Sequence, residues 1–353
     1  MSGSSFVRGS AGIVRGAAAL GLSLSMAWGV GAARGQEPDS VQAIHEDFAN
    51  QFRQLEKTRL DRLGRLAARQ DPAAAAATYE ELFRLAISAN LFREAEPAAS
   101  TVIRVGSPSH ATSALAHLVK IVAEADRGAF EESLAALKVA VENAAQDGVA
   151  GLQSEEIIGI TDAYYQRLVH ADQIPVALKA FKFCAERAQR PVVKEFLAER
   201  LRRLEAVGKP APAIRGTDLD GRPFDLAALK GKVVLVEFWA SWCLPTEAQV
   251  EQFQQAIDAR KDKDLVVVGI NLDTLQGEGL KPETILPNVR RFLLDHNVRW
   301  PTLINGKGEK DYAAAFGVVD IPASVLIGKD GNIVQLDLVR QNLGPVLDRE
   351  LAR

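Results

Sequence analysis

The chain has 353 residues, 42 basic against 45 acidic side chains, 47% hydrophobic content and two cysteines. That length suits two domains, and a net charge of −3 gives no sequence-wide pull toward nucleic acid or anionic lipid. Two cysteines can neither staple a disulfide scaffold nor by themselves fill a four-ligand zinc site.

In chain order, residues 1–35 read as a secretory signal. Arg8 and Arg15 lead into an apolar stretch at 16–33, no acidic residue occurs before Glu37, and Ala33 and Gly35 set small residues ahead of a cleavage point near Gln36. Retained instead of cleaved, the same stretch is just long enough to anchor the chain in a membrane. An organelle presequence is the third reading of such a segment. Both secretory outcomes place the working chain outside the cytoplasm, periplasmic or secreted, with membrane attachment only if the segment stays on.

From Val41 to about Val207 apolar residues recur at three- and four-residue spacing, as at Leu82, Leu85, Ala86 and Ala89. This period predicts an all-α domain over 36–207. Its breakers are Asp71-Pro72, Gly106-Ser107-Pro108, the glycines between 148 and 151, and Arg190-Pro191. Turn-and-helix segments at Asn90-Leu91-Phe92, Gly128-Ala129-Phe130 and Gln173-Ile174-Pro175 are weakly alike. Their spacing resembles tetratricopeptide-type helical hairpins, which would offer a concave face to a protein partner. A helical cap that only spaces or dimerises the second domain is the plain alternative.

The period changes after Lys209-Pro210-Ala211-Pro212, where two prolines stop any helix. Residues 232–239 (KVVLVEFW) and 265–272 (LVVVGINL) are β-branched runs of the kind that form buried central strands. Further strands are expected at 300–304, 323–327 and 332–338, and helices at 247–261, 282–296, 310–316 and 342–351. The whole predicts an α/β domain over 208–353 with a mixed central sheet.

One run carries the chemistry: Phe238-Trp239-Ala240-Ser241-Trp242-Cys243-Leu244-Pro245-Thr246, at a strand end that opens a helix. A cysteine there faces unpaired backbone N–H groups and the positive end of the helix dipole. Both favour thiolate, the nucleophilic form. With Gly208-Lys209-Pro210-Ala211-Pro212, Asp220-Gly221, Leu229-Lys230-Gly231-Lys232, Phe316-Gly317-Val318 and Ile321-Pro322, this run resembles the thioredoxin superfamily. Within it the likeness is to the extracytoplasmic TlpA/ResA-type redoxins, from about Lys209 onward.

The resemblance implies a thioredoxin fold and thiol–disulfide exchange at Cys243. It implies a cis-proline at Pro322, whose loop with Ile321 lies against the cysteine and pairs with a peptide backbone. It places Glu237 where a buried acid assists proton transfer; a strand-edge carboxylate met by a lysine is the plain alternative. Trp239 and Trp242 would shield the sulfur, and Pro245 completes the binding face.

The sequence departs from the family where Thr246 replaces the second cysteine of Cys-x-x-Cys. A hydroxyl can hydrogen-bond a thiolate but cannot resolve a mixed disulfide. Glu247, where a basic residue is common, opposes the thiolate. Cys184 sits among apolar residues of the helical half and is read as a packed thiol. Cys243-Leu244-Pro245-Thr246-Glu247 also resembles the peroxiredoxin motif, without its upstream proline and threonine.

Three readings result. The first is a single-thiol oxidoreductase working on protein thiols or disulfides with an external thiol reductant. The second is a peptide-binding module without turnover, and the third a thiol peroxidase. No motif calls for a metal, a cofactor or nucleic acid.

Overall fold

The computed structural model describes residues 41–147, 152–260, 263–277, 280–338 and 340–353. The signal-like segment at 1–35 and the breaker at 148–151 lie outside the described residues. Among the described residues no helix is long and apolar enough to cross a membrane. The chain divides into two compact units, one ending at Val119 and the other running from Lys120 to Arg353.

Among the described residues eight helices precede the first strand: α1 (Val41–Ala67), α2 (Pro72–Ser88), α3 (Phe92–Val105), α4 (His110–Asp126), α5 (Phe130–Asp147), α6 (Ser154–His170), α7 (Ile174–Arg187) and α8 (Pro191–Leu204). The expected punctuation separates them. Asp71 caps α2, accepting from the N–H groups of Ala73 and Ala74 at 3.1 Å each. Asn90, Gly128 and Asp172 turn the chain at positive φ ahead of α3, α5 and α7. In the first unit α1 lies against α2 and α3, tied by Lys57–Glu94 at 2.8 Å and Arg59–Glu81 at 2.9 Å.

The second unit ends in an α/β sandwich. A short antiparallel hairpin, β1 (Arg215–Thr217) and β2 (Pro223–Asp225), leads into β3 (Val233–Trp239), α9 (Leu244–Asp258) and β4 (Leu265–Asn271). Then follow α10 (Pro282–Asp295), β5 (Thr302–Ile304), α11 (Tyr312–Ala315), β6 (Ala323–Ile327), β7 (Ile333–Leu336) and α12 (Arg340–Ala352). The sheet order is β5-β4-β3-β6-β7, with β3–β4 and β4–β5 parallel and β6 and β7 antiparallel to their neighbours. Strand β3 is buried along its whole length, as its unbroken apolar run requires. Val233 and Leu235 pack with Phe253 of α9 and Leu343, Val346 and Leu347 of α12. Trp239 packs with Ile285, Val289 and Phe292 of α10.

Helices α6 and α8 and the sheet are joined by two buried guanidinium groups. Arg200 of α8, 5% exposed, binds Asp162 of α6 at 2.6 Å and Asp320 at 2.5 Å. Arg203, 3% exposed, binds Asp337 and donates to the Ser324 carbonyl at 3.4 Å. Asp320 immediately precedes Ile321-Pro322, so α8 holds the loop that enters β6. Gln335 Nε2 adds a bond to the Val169 carbonyl at 3.1 Å, and Asn342 Nδ2 one to the His170 carbonyl at 2.7 Å.

Gly269 stands between β3 and β5 because nothing larger fits there. A Cβ would come within 2.9 Å of Trp239 Nε1, 3.1 Å of Thr302 Oγ1 and 3.3 Å of Trp300 Nε1. Gly269→Ala is therefore expected to destabilise the chain by about 1–3 kcal/mol, as overpacking does. Chemical denaturation of the two proteins, compared at equal slope, measures this.

Candidate active site

The site forms where β3 hands over to α9. Helix α9 starts at Leu244, earlier than the apolar period suggested, because Pro245 fits a first helical turn. Cys243 is consequently its N-cap, in extended conformation, with no side-chain capping bond. Its N–H donates to the Ala240 carbonyl at 3.2 Å, closing the turn. The half-buried thiol reaches the Ile321 carbonyl at 3.8 Å, and the Ile321–Pro322 bond is cis. The structure thus brings together Cys243, Ile321 and Pro322.

A residue that sequence reasoning passed over fixes this turn. Asp273, just beyond β4, is 3% exposed. Its carboxylate accepts from the Ser241 N–H at 2.7 Å, the Ser241 hydroxyl and Asn271 Nδ2 at 2.8 Å. The Asp273 N–H returns a bond to Asn271 Oδ1 at 3.1 Å. Together these lock the residue two before the cysteine onto the neighbouring strand end. The available signal was an aspartate ending a buried β-branched run, a place where a carboxylate needs local donors.

The two tryptophans part company. Trp242, beside the cysteine, is 38% exposed and offers a surface to a ligand. Trp239 is 1% exposed and its ring lies 4.8 Å from that of Phe292, so the expected binding role gives way to a core role. The position of β3 explains it: a central strand covered on both faces buries Trp239 with its neighbours, here against Ile285, Val289 and Phe292. Pro245, Thr246 and Glu247 occupy the first turn of α9, and their side chains fall outside the described ones.

Glu237 is fully buried, opposite Gly269 on β4 and Ser324 on β6. Neither carboxyl oxygen has a hydrogen-bond partner, so the alternative of a lysine-bound edge carboxylate does not hold. Burial pushes its pKa up to about 8, which leaves it protonated at neutral pH. The indole N–H groups of Trp239 and Trp300, both close to Gly269, are likewise buried and unpaired.

Cys184 of α7 is a different kind of thiol. Burial pushes its pKa up to about 12, only partly opposed by the nearby Arg187 guanidinium. Neither cysteine is in a disulfide. Among the described residues no group of three His, Cys, Asp or Glu side chains could hold a metal ion.

A model of the AhpC/TSA family matches residues 207–336. The thiol-disulfide oxidoreductase ResA of Bacillus thuringiensis is 31% identical over 129 residues, which are 36% of this chain and 68% of that protein. Its counterpart in Bacillus anthracis is 33% identical over the same shares. The chain belongs to the ResA family of thioredoxin-like proteins. A solved thioredoxin domain of a thiol-disulfide oxidoreductase from Bacteroides vulgatus is 26% identical, covering 41% of this chain and 98% of its own, with a TM-score of 0.36. The AhpC/TSA match begins at residue 207, so helices α1–α8 lie outside that part of this ResA-family chain.

The buried acid makes a signed prediction. The unfolded chain releases the Glu237 proton near 4.5, whereas the folded chain keeps it up to about 8. Between those values the folded state binds more protons, so its stability falls as pH rises through that window and is fully present only below it. The slope from this one group is at most about 1.4 kcal/mol per pH unit. Glu237→Gln is expected to flatten it, seen as a loss of pH dependence in urea midpoints across that window.

Proposed function

We propose that this protein exchanges thiols and disulfides through Cys243 alone, in an extracytoplasmic compartment. The observation that carries the proposal is the placement of Cys243 at the N-cap of α9, its sulfur beside the Ile321 carbonyl and next to exposed Trp242. Free N–H groups at a helix start favour an anionic sulfur. In this reading the Cys243 thiolate attacks one sulfur of a substrate disulfide. A Cys243–substrate disulfide forms, and the other substrate sulfur leaves as a thiolate that takes up a proton. An external thiol, deprotonated, then attacks the substrate sulfur of that mixed disulfide and frees Cys243 as a thiolate. A second external thiolate attacks the resulting external-thiol–substrate disulfide, releasing the substrate's second sulfur as a thiolate that takes up a proton. Over the cycle the substrate disulfide gains two electrons, and two external thiols become a disulfide.

Each further site residue has a role in this reading. Ile321 and Pro322 present the backbone edge on which a peptide flanking the substrate sulfur lies. Glu237, protonated at neutral pH, supplies or accepts a proton as thiols form and ionise. A threonine at 246 supplies a hydroxyl, which can donate a hydrogen bond but cannot displace a partner from a mixed disulfide. Exposed Trp242 lines the approach, and Pro245 is assigned to the binding face from the sequence alone. The burial of Cys184 supports leaving it out of the cycle, since its thiol stays protonated. The apolar stretch at 16–33 supports export. The helical hairpins support a second protein-binding face.

A reduced full-length chain mixed with a disulfide-linked peptide tests the proposal by intact mass. The expected product is one covalent adduct on Cys243 that persists until an external thiol is added. Cys184→Ser is expected to form it and Cys243→Ser is not. Peptide retention without any adduct would favour the non-turnover binding module, and rapid self-resolution of the adduct would exclude the single-thiol cycle.

A further inference from the structure

Helix α1 carries an apolar stripe that its own fold leaves uncovered. Leu60 and Ala67 face α2 and are buried, whereas Ile44, Phe48, Phe52, Leu55 and Leu66 are 41%, 67%, 62%, 68% and 49% exposed. The exposed set recurs at coiled-coil spacing on one side of the helix, away from the packed face. Toward its C-terminal end the side chains of α1 alone, among them Leu55, Arg59, Arg62 and Leu66, leave a shallow open groove of about 300 Å³ between them. Aromatic rings therefore project from one end of the stripe, and a groove to receive them lies at the other.

We propose that α1 pairs with α1 of a second copy of this chain, antiparallel about a two-fold axis through Leu55. That register lays Ile44 against the partner's Leu66 and Phe48 over the partner's Arg62, with Leu55 meeting the partner's Leu55. The same contacts recur in reverse, as a two-fold interface requires. A phenyl ring over a guanidinium is itself favourable, increasingly so once water is excluded. Charge selects the direction. The start of α1 carries the exposed Asp47, while its end carries Arg59, Arg62 and Arg65 with Arg69 just beyond. Parallel pairing sets the arginines of both copies side by side, and antiparallel pairing sets them toward acidic residues.

The proposal is independent of the redox reading, because no residue of the cysteine site takes part. Sedimentation velocity of the full chain is expected to show a dimer, and Leu55→Glu a monomer with unchanged helical circular dichroism. Leu55 is exposed, so this substitution leaves the fold intact. Leu55→Glu should raise the dimer Kd at least about a hundredfold, since two carboxylates then meet on the axis. Direction is read by cross-linking in a background that carries both Cys243→Ser and Cys184→Ser. Leu55→Cys should cross-link to itself. Phe48→Cys should cross-link to Arg62→Cys but not to itself, its two copies lying about 20 Å apart along the axis. A chain that stays monomeric, a dimer unaffected by Leu55→Glu, or Phe48→Cys cross-linking to itself in preference to Arg62→Cys would overturn the proposal.

Discussion

One sulfur at the start of one helix is the constraint to which the rest of the C-terminal domain answers. Strand β3 buries every residue it has, which fixes where the chain must leave the sheet. The exit is held from both sides: Asp273 grips Ser241 from the end of β4, and the Ile321 carbonyl meets the sulfur from the loop before β6. A nucleophile so held stays at the mouth of the sheet rather than swinging into the core, and the exposed Trp242 keeps its approach open. The other thiol of the chain, Cys184 of α7, is half-buried, and its surroundings push its pKa up.

Helix α8 extends this control beyond the sheet. Arg200 and Arg203 are nearly fully buried, and each is satisfied by carboxylates that flank β6: Asp320 before it and Asp337 beyond the next strand. A buried guanidinium tolerates no loss of its partner, because an unpaired charge in that environment costs several kcal/mol. The helices and the loop bearing Ile321 are thereby coupled in position, and a force on α8 is felt one residue from the carbonyl that touches Cys243.

What could be read in the sequence followed physical range. The two central strands, α10, and the cysteine at a strand-to-helix junction rest on local patterns, and the structure has them where those patterns put them. The three-residue strands β1 and β2 were too short to show any alternation. Helix α9 began early because a proline, commonly a breaker, suits a first turn. The grip of Asp273 on Ser241 and the Arg200–Asp320 pair join residues 32 and 120 positions apart, and no local pattern encodes them. Glu237 was legible as an acid in an apolar strand. That it stands there without any partner, and is consequently protonated, depended on what the neighbouring strands place around it. Trp239 was read as shielding the sulfur because it neighbours the cysteine, whereas a central strand covered on both faces buries it against Phe292.

The single-thiol account is tested most directly by supplying the sulfur that position 246 lacks. Turnover of a peptide disulfide is compared between the unaltered full chain and Thr246→Cys, each with limiting external thiol. The account predicts that the substituted protein shows a disulfide between positions 243 and 246 in place of the adduct, with turnover raised about tenfold or more by the tethered thiol. An unaltered chain that releases its peptide as fast as Thr246→Cys does, without passing through an adduct on Cys243, would contradict it.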